Sequence, residues 1–310
     1  MRLGFVGTGT MGAPMAGCLI DAGHQVTVYD VRPEATAAMR GRGARPAEGP
    51  SAVAHDSEVV FTSLPGPQEV ELAALDPSTG ILAGLRAGAA YIDMTTNAPA
   101  VARRIADACR TRNVDMLDAP VSGRPPTMTV MVGGDAPVFD RYRPLLAAMA
   151  GSIFYVGDAG AGCIAKLVTQ YLGYTNFIAA LEGMLIGAKA GIDLDILARI
   201  VPLSAGASRT FDNIPRSVLS GSFTAGGTLD IVAKDLHLAC ELAREAGAPA
   251  HLGLLAHDVF HRAQAQGWGQ KGFPIAARIL EAMAGSELRA SPVEDTVQYQ
   301  AEDPRRGGRR

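Results

Sequence analysis

Short apolar runs alternate with helical patterns over the first half of the chain. Met11, Met15 and Leu19 recur every four residues and so share one face of a helix. Pro33 stands at the first position of a second predicted helix, where proline is favoured. The predicted strands cover residues 3–6, 25–29, 59–63, 91–93, 114–117, 129–132 and 153–156, and later helices cover 69–75, 99–112 and 137–149. Strands and helices that alternate in this way predict a parallel sheet with crossover helices.

The pattern changes near Gly157, and no strand-like run follows it. Residues 162–190 form one long helical pattern, and shorter ones follow at 194–201, 229–246, 251–266 and 274–284. The sequence therefore predicts an α/β fold class, with an N-terminal parallel-sheet domain over residues 1–161 joined by a long helix to an all-helical C-terminal domain over residues 162–289. Residues 290–310 are polar and end in arginines, so we expect a disordered tail.

Composition fits two domains and excludes several classes of protein. With 310 residues, 48% of them hydrophobic, the chain can bury a core in each domain. A net charge of −3 gives no strong attraction for nucleic acid or an acidic membrane, and no apolar run is long enough to cross a bilayer. The first residues lack the pattern of a signal peptide. Four scattered cysteines without metal-type spacing lead us to expect a cytoplasmic protein that holds no metal.

Three glycines follow the first predicted strand in the pattern G-x-G-x-x-G. They are Gly7, Gly9 and Gly12, with Thr10 and Met11 in the loop before the helix. In a dinucleotide site the first glycine permits a tight turn, the second lets the backbone approach a pyrophosphate, and the third lets helix and strand pack closely. The helix N-terminus then presents free N–H groups to the anion. The strand before the motif and the helix after it favour this interpretation over a plain glycine turn.

An acidic residue at the end of the second predicted strand indicates which dinucleotide is bound. Asp30 lies 18 residues after Gly12, where a carboxylate can accept hydrogen bonds from the ribose hydroxyls of NAD and repel the extra phosphate of NADP. Arg32 lies close enough to offset that repulsion. We expect both residues in the cofactor site and favour NAD over NADP. A helix cap before Pro33 is an alternative role for Asp30.

The opening segment GFVGTGTMGAPMAGCL goes beyond a general dinucleotide motif. Five further segments agree with it in order and spacing: TSLPGPQEV (62–70), DMTTNAP (93–99), DAPVSG (118–123) with MVGGDAPVFD (131–140), GAGCIAKL (160–167) and AKDLHLA (233–239). Over roughly residues 1–285 the sequence resembles the β-hydroxyacid dehydrogenase family, which includes 3-hydroxyisobutyrate dehydrogenase and tartronate semialdehyde reductase.

This resemblance implies a Rossmann-type N-terminal domain and an oxidoreductase that transfers hydride between NAD(H) and a small 3-hydroxy acid or its semialdehyde. It also implies a role for each matching residue. For the cofactor, Leu64 and Pro65 make backbone contacts, Thr96 lies near the nicotinamide ribose, and Lys234 approaches from the second domain. For the substrate, Ser122 and Gly123 hold the carboxylate. Lys166 is the catalytic residue. We further expect a homodimer or homotetramer whose partner is a small-molecule carboxylate substrate.

A lysine suits the role of general acid and base that the resemblance gives to Lys166. Its ammonium supplies a proton to the carbonyl oxygen in reduction, and its neutral amine removes the hydroxyl proton in oxidation. Burial lowers a lysine pKa, whereas arginine stays charged. Of the four lysines, Lys166, Lys189, Lys234 and Lys271, two fall on family positions. The simpler interpretations are a solvated helix charge for Lys166 and a surface lysine beside Asp235 for Lys234.

Two departures from the family pattern bear on the substrate. Gly123 is followed by Arg124 instead of a second glycine, and the loop after it is about five residues short. Arg124 either contacts a second carboxylate or phosphate or points to solvent. After Lys166 the family often has an asparagine that orients the substrate, and here those positions are Thr169 and Gln170. We expect both to contact the substrate.

Several alternatives stay open beside this hypothesis. One is an imine or other carbonyl reductase of the same fold with a changed substrate, although imine reductases typically lack the lysine that Lys166 matches. Another is a catalytically inactive dinucleotide-binding protein, which the matching positions Thr96, Lys166 and Lys234 disfavour. His257 and His261 have the spacing of a zinc pair without a third ligand, so an exposed helix pair is the better interpretation. Cys163 could be a nucleophile, but a small core residue explains it as well.

Overall fold

The computed structural model describes residues 1–224 and 226–290. Within those residues a single sheet is built from strands Arg2–Val6 (β1), Gln25–Tyr29 (β2), Arg45–Pro46 (β3), Val59–Thr62 (β4), Ala90–Asp93 (β5), Asp115–Asp118 (β6), Val121–Ser122 (β7), Met128–Gly134 (β8) and Ala150–Gly157 (β9). The helices that flank it are Gly12–Asp21 (α1), Pro33–Arg40 (α2), Pro50–His55 (α3), Pro67–Leu75 (α4), Ile81–Gly84 (α5), Pro99–Thr111 (α6) and Ala136–Ala147 (α7).

Helices make up most of the rest of the described chain. They are Ala161–Lys189 (α8), Leu194–Ile200 (α9), Leu229–Glu245 (α10), His251–Ala265 (α11) and Ala277–Ala284 (α12). Short 3₁₀ turns occur at Val201–Leu203, Phe211–Asn213 and Phe273–Ala276, and a π-helical turn at Pro215–Leu219.

The strand order places β1 between two parallel neighbours. The sheet runs β3-β2-β1-β4-β5-β6-β8-β7, and β9 pairs with β8. Val6, at the end of β1, pairs with Tyr29 of β2 on one side and Thr62 of β4 on the other. Because all three strands are parallel, their carboxyl ends meet at the same edge. The chain order reverses on the two sides of β1, and ligands of α/β sheets bind at such a point.

The inner strands β1, β4 and β5 are buried on both faces, as is typical of parallel strands, whereas most of the edge strand β9 is exposed. Phe5 and Phe61 stack at 5.9 Å on the face that also packs residues of α1 and α7. On the opposite face Val60 and Tyr91 pack with residues of α3, α4 and α6. Neighbouring residues of one strand therefore belong to different cores, since strand side chains alternate between faces.

The prediction of parallel strands is wrong for two strand pairs, β6 with β8 and β7 with β8. Leu117 of β6 pairs antiparallel with Gly134 of β8, and Val121 of β7 pairs antiparallel with Val130. Parallel neighbours need a connection of about a dozen residues or more. The segment 119–127 is too short for a helix and turns back on itself instead. The β8–β9 pair, which is joined through α7, is parallel as predicted.

The described chain divides into two compact units. The first comprises Met1–Thr175 and Asp230–Asp258, and the second comprises Asn176–Leu229 and the residues from Val259 onward. In the second unit Phe177 stacks on Phe260 at 6.4 Å and meets the edge of Phe273 at 4.9 Å. The helical character of the C-terminal region is confirmed. The domain boundaries 1–161 and 162–289 stay a prediction.

Most predicted helices and strands match the structure within one to three residues, and the elements that were missed are short. The pattern over 162–190 is α8, displaced by one residue at each end, and the pattern over 274–284 begins as a 3₁₀ turn rather than an α-helix. The sequence gives no periodic signal for α3, α5 and β3, because elements of two to six residues are too short to show one. Residues 291–310 of the predicted tail lie outside the described residues.

Candidate active site

The loop between β1 and α1 is built around Gly7 and Gly12. Gly7 has φ +90°, and a Cβ there would lie 2.3 Å from the Ser63 carbonyl oxygen. A Cβ on Gly12 would lie 1.8 Å from the Gly7 carbonyl oxygen. The tight turn and the close packing predicted for these two glycines are therefore both present. A Cβ on Gly9 would lie 3.1 Å from Nη2 at the flexible end of the Arg32 side chain, so this position is less crowded than the other two.

The same loop presents the hydrogen-bond donors that a pyrophosphate needs. No side chain caps the start of α1. Among the described residues, the backbone N–H groups of Gly9, Thr10 and Met11 meet no acceptor, and the buried Thr8 Oγ1 has no partner. Free N–H groups at the positive end of a helix dipole bind phosphate groups. These residues therefore fit the pyrophosphate of a dinucleotide.

Asp30 stands at the carboxyl end of β2 with its carboxylate turned into this loop. Its oxygens accept the backbone N–H of Thr8 at 2.8 Å, the backbone N–H of Arg32 at 2.9 Å and the Arg32 Nε at 3.2 Å. Burial raises the pKa of Asp30, but the hydrogen bonds from Arg32 and Thr8 outweigh burial, so its pKa lies below the ordinary value. No side chain caps α2, so the alternative role of Asp30 as a helix cap is wrong.

A buried carboxylate at the end of β5 shapes the turn that follows this strand. Asp93 accepts the Thr62 hydroxyl at 2.8 Å, the Asn97 amide at 2.9 Å and the Thr95 backbone N–H at 3.1 Å. Burial raises the pKa of Asp93, and these hydrogen bonds oppose the rise. The turn over residues 94–98 therefore has a fixed shape. No motif in the sequence marks Asp93 itself as a functional residue.

The two predicted cofactor segments, 62–70 and 93–99, are joined by direct contacts. The Leu64 backbone N–H donates to Thr95 Oγ1 at 3.0 Å. Lys234 of α10 reaches the same turn, since its Nζ donates to the Thr96 carbonyl oxygen at 3.1 Å. Its Cδ would lie 3.0 Å from a Cβ on Gly66, the residue after Pro65. The structure thus brings Leu64, Thr96 and Lys234 together.

Lys166 lies in the second turn of α8 and is only 6% exposed. Its Nζ donates to Gln170 Oε1 at 2.8 Å. Burial lowers the pKa of Lys166 to about 8, while the charge of Asp235 raises it and that of Lys234 lowers it further. The interpretation of Lys166 as a solvated helix charge is therefore wrong. An amine with this pKa exchanges a proton near physiological pH.

Gln170 connects Lys166 to α10. Its Nε2 donates to Asp235 Oδ2 at 2.6 Å and to the Tyr174 hydroxyl at 2.6 Å. Asp235 is buried, and the Lys234 Nζ lies 2.8 Å from its Oδ1. A continuous chain of polar groups therefore runs from Lys166 through Gln170 and Asp235 to Lys234. Asp235 entered the sequence analysis only as a neighbour of Lys234.

A second buried carboxylate fixes the helix that carries Lys166. Asp118, at the end of β6, accepts the N–H groups of Gly160 at 2.7 Å and Cys163 at 2.9 Å. It satisfies donors at the start of α8 that have no partner within the helix, and its charge complements the helix dipole. Burial raises the pKa of Asp118, and the two hydrogen bonds oppose the rise. Cys163 is fully buried, which agrees with its interpretation as a core residue.

The residues predicted to contact the substrate occupy two places. Ser122, the last residue of β7, and the following Gly123 and Arg124 are exposed where the chain turns from β7 towards β8. Thr169 and Gln170 lie beside Lys166 on α8. The Thr169 hydroxyl already donates to the Lys166 carbonyl oxygen at 2.7 Å, within its own helix. A substrate contact from Thr169 would have to replace or share this hydrogen bond.

An open cavity of about 600 Å³ lies at the other edge of the sheet. It is lined by residues such as Arg2, Glu58 and Ala89, which precede or begin β1, β4 and β5. Ligands of parallel sheets bind at the carboxyl ends of the strands, so this cavity is not the dinucleotide site. Within residues 1–224 and 226–290, no three His, Cys, Asp or Glu side chains come together as a metal site.

Two family models match the chain in consecutive segments. The NAD binding domain of 6-phosphogluconate dehydrogenase matches residues 2–157, and the NAD-binding domain of NADP-dependent 3-hydroxyisobutyrate dehydrogenase matches residues 160–280. The 2-(hydroxymethyl)glutarate dehydrogenase of Eubacterium barkeri is 32% identical over 291 residues, which are 92% of this chain and 96% of that protein. The NAD-dependent L-serine dehydrogenase of Pseudomonas aeruginosa is 33% identical over 299 residues, which are 92% and 99% of the two chains. The chain belongs to the β-hydroxyacid dehydrogenase family.

Solved structures of this family share the fold. The 3-hydroxyisobutyrate dehydrogenase of Mycobacterium tuberculosis, solved with L-serine, matches with a TM-score of 0.80 at 28% identity, over 90% of this chain and 98% of that chain. This β-hydroxyacid dehydrogenase is therefore an NAD(P)-dependent oxidoreductase of hydroxy acids. Among its described residues, no helix combines the length and apolar character of a membrane span.

Imine reductases have the same fold as β-hydroxyacid dehydrogenases. One from a Pseudomonas species matches this chain with a TM-score of 0.55 at 22% identity, which shows the fold alone. Lys166, which the family resemblance marks as catalytic, is buried in this chain. The imine reductase alternative is separated from a dehydrogenase by assay below.

Proposed function

We propose that this β-hydroxyacid dehydrogenase reversibly oxidises the primary alcohol of a small 3-hydroxy acid to a semialdehyde, with Lys166 as general acid and base. The observation that carries the proposal is the burial of the Lys166 amine, which lowers its pKa to about 8. A proton donor and acceptor works best when its pKa lies near the pH of the reaction. Arginine at this position would stay charged and could act in neither direction.

The names of the similar proteins suggest a substrate class. 2-(Hydroxymethyl)glutarate, L-serine and 3-hydroxyisobutyrate share the skeleton HOCH₂–CH(R)–COO⁻ and differ only in R. Oxidation at the CH₂OH carbon leaves the carboxylate and R unchanged. We therefore propose a 2-substituted 3-hydroxypropanoate as substrate of this chain, and R is the part that its own residues select.

NAD is the proposed cofactor, in preference to NADP. When bound, NAD⁺ accepts a hydride at C4 of its nicotinamide ring. The Asp30 carboxylate at the end of β2 favours ribose hydroxyls and disfavours a phosphate, although the Arg32 guanidinium offsets part of its charge. The residues proposed to hold the cofactor are Gly7, Gly9, Thr10, Met11, Gly12, Asp30, Arg32, Leu64, Pro65, Thr96 and Lys234.

The chain's own residues would handle the proton and the carboxylate. The neutral Lys166 amine takes the hydroxyl proton during oxidation, and the ammonium returns it during reduction. Ser122 and the backbone N–H of Gly123 are proposed to bind the carboxylate. Arg124, exposed in the same turn, is proposed to contact R when R carries a negative charge. Thr169 and Gln170 complete the proposed substrate site.

We also propose a homodimer or homotetramer in the cytoplasm. Val168 and Leu172 lie one turn apart on α8, and both are more than half exposed. Apolar side chains exposed at helical spacing are typical of protein contacts. All four cysteines are free, as in a reducing compartment. Sedimentation velocity of the full chain tests the oligomeric state.

One assay tests the proposed reaction. NADH absorbance is followed with 3-hydroxyisobutyrate, L-serine, 2-(hydroxymethyl)glutarate, glycerate and 3-hydroxypropionate, for the wild type and for Lys166→Ala. We expect turnover of at least one acid, and a loss of more than ~100-fold in kcat for Lys166→Ala while the Kd for NAD changes little. Lys271→Ala, which removes an exposed lysine, is the matched control and should keep wild-type turnover.

Two outcomes would refute the proposal. A folded Lys166→Ala variant that keeps a tenth or more of wild-type kcat would remove Lys166 from proton transfer. Turnover of cyclic imines with NADPH, together with none of any hydroxy acid, would establish the imine reductase alternative instead.

A further inference from the structure

Gln170 uses both ends of its side-chain amide inside the protein. Its Oε1 accepts the Lys166 Nζ at 2.8 Å, and its Nε2 donates to Asp235 Oδ2 and to the Tyr174 hydroxyl, each at 2.6 Å. Lys166, Gln170 and Tyr174 follow each other at intervals of one helical turn on α8, whereas Asp235 belongs to α10. The amide is therefore held by contacts along its own helix and across to another.

The orientation of this amide is determined by its charged neighbours. An ammonium group only donates hydrogen bonds, and an ionised carboxylate only accepts them. If the amide were turned over, its NH₂ group would face the Lys166 ammonium and its oxygen would face Asp235. Both contacts would become repulsive in a site where the Lys166 and Asp235 side chains are almost fully buried.

The same amide separates two groups of opposite charge. The direct ion partner of Asp235 is Lys234, whose Nζ lies 2.8 Å from Oδ1, and Lys234 in turn donates to the Thr96 carbonyl oxygen. Among the described residues, the hydrogen-bonded path from the Lys166 amine to the carboxylate runs through the amide of Gln170. The titratable groups that face this part of α8 are Asp235 and Lys234 from α10, and Tyr174 on the same helix, which accepts from Gln170.

We propose that Gln170 is a positioning residue for proton transfer: its amide holds the Lys166 amine in place and keeps the amine from pairing with the Asp235 carboxylate. This inference rests on the proposed role of Lys166. It gives Gln170 a different part from the substrate contact that the family pattern suggests.

Separation from Asp235 matters because a direct pair would change the acidity of the amine. A carboxylate within ~4–6 Å favours the charged form of its partner and shifts its pKa by ~1–3 units. A Lys166 paired in this way would have a higher pKa, and a smaller fraction of it would be the neutral amine that acts as the base in oxidation. With the amide in between, burial dominates, and the pKa of Lys166 stays near 8.

The amine can be observed directly because the chain has only four lysines. Protein labelled with ¹³C-lysine gives four side-chain signals, and Lys166→Arg assigns the one from residue 166. We would titrate this signal in the cofactor-free protein for the wild type, Gln170→Ala, Asp235→Asn and the double variant. Gln266→Ala, an exposed glutamine after α11, is the matched control.

We expect Gln170→Ala to raise the Lys166 midpoint by ~1 unit or more, because the amine is then free to approach Asp235. In the Asp235→Asn background the same substitution should leave the midpoint within a few tenths of a unit. The pH at which kcat/KM for oxidation rises should move with the midpoint, and Gln266→Ala should change neither quantity.

An unchanged midpoint in folded Gln170→Ala would overturn the proposal, and so would an equal rise in the Asp235→Asn background. If Gln170→Ala does not fold, Gln170→Glu places a carboxylate directly on the amine and must raise the midpoint by at least as much. Failure of the proposed reaction can be told apart from failure of the Gln170 proposal. In that case Lys166→Ala would keep its activity, while the Lys166 midpoints in the Gln170 and Asp235 variants would still follow the expected pattern.

Discussion

Replacing Lys166 with methionine should change how the stability of the protein depends on pH. The substitution keeps an unbranched side chain of similar length and removes the amine from a site that is 6% exposed. In the unfolded chain the lysine titrates at its ordinary pKa of 10.5, and in the folded protein at about 8. Below pH 8 folding therefore moves a charged group out of water.

The sign and size of the effect follow from proton linkage. Between about pH 8 and 10.5 the unfolded chain binds the proton and the folded protein does not, so the free energy of unfolding rises with pH. At about 1.36 kcal/mol per pKa unit, the wild type should gain about 2–3 kcal/mol from pH 7 to pH 10 through this one group. Methionine does not titrate, so the variant lacks this pH-dependent gain. Loss of the hydrogen bond to Gln170 changes the free energy of unfolding by an amount that is the same at each pH.

The assay is urea unfolding followed by circular dichroism at several pH values and one protein concentration. The unfolding free energy of Lys166→Met minus that of the wild type should fall by about 2–3 kcal/mol from pH 7 to pH 10. Lys271→Met, which replaces an exposed lysine by the same residue, is the matched control. A constant difference for Lys166→Met would show that the amine is solvated in the folded protein, and the reasoning about its acidity would be wrong.

Two further substitutions test the cofactor loop. Gly12→Ala would place a Cβ 1.8 Å from the Gly7 carbonyl oxygen. We therefore expect the Kd for NAD, measured by calorimetry, to rise more than ~100-fold and the Tm to fall by several degrees. A Kd within ~3-fold of the wild-type value would contradict the packing argument. Asp30→Ala removes the carboxylate that holds Arg32. The ratio of kcat/KM with NADP to kcat/KM with NAD should then rise at least ~10-fold. An unchanged ratio would mean that Asp30 does not select the cofactor.

Features that depend on the local pattern of apolar residues were predictable from the sequence. The inner strands are short apolar runs buried on both faces, and α8 is a long helical pattern without an internal proline. Gly7 and Gly12 were predictable for a related reason, because a positive φ and a backbone contact both exclude other side chains. The motif GAGCIAKL marked Lys166 as a candidate site residue, but only the structure shows that its side chain is buried.

Three buried carboxylates, Asp93, Asp118 and Asp235, were not predicted as parts of the site. Each accepts hydrogen bonds from groups far away in sequence, such as Thr62 for Asp93, Gly160 for Asp118 and Gln170 for Asp235. An aspartate in a sequence gives no sign of whether its partners will be water or protein. The antiparallel β6–β8 pair was missed because only the length of segment 119–127, and no apolar pattern, distinguishes a hairpin from a crossover.

The hydrogen bonds from the start of α8 to Asp118 have a consequence for where Lys166 stands. They attach the helix that bears Lys166 to the last residue of β6, so the sheet helps to position this amine. A substitution of Asp118 should therefore displace the Lys166 amine, although the two residues are far apart in the sequence.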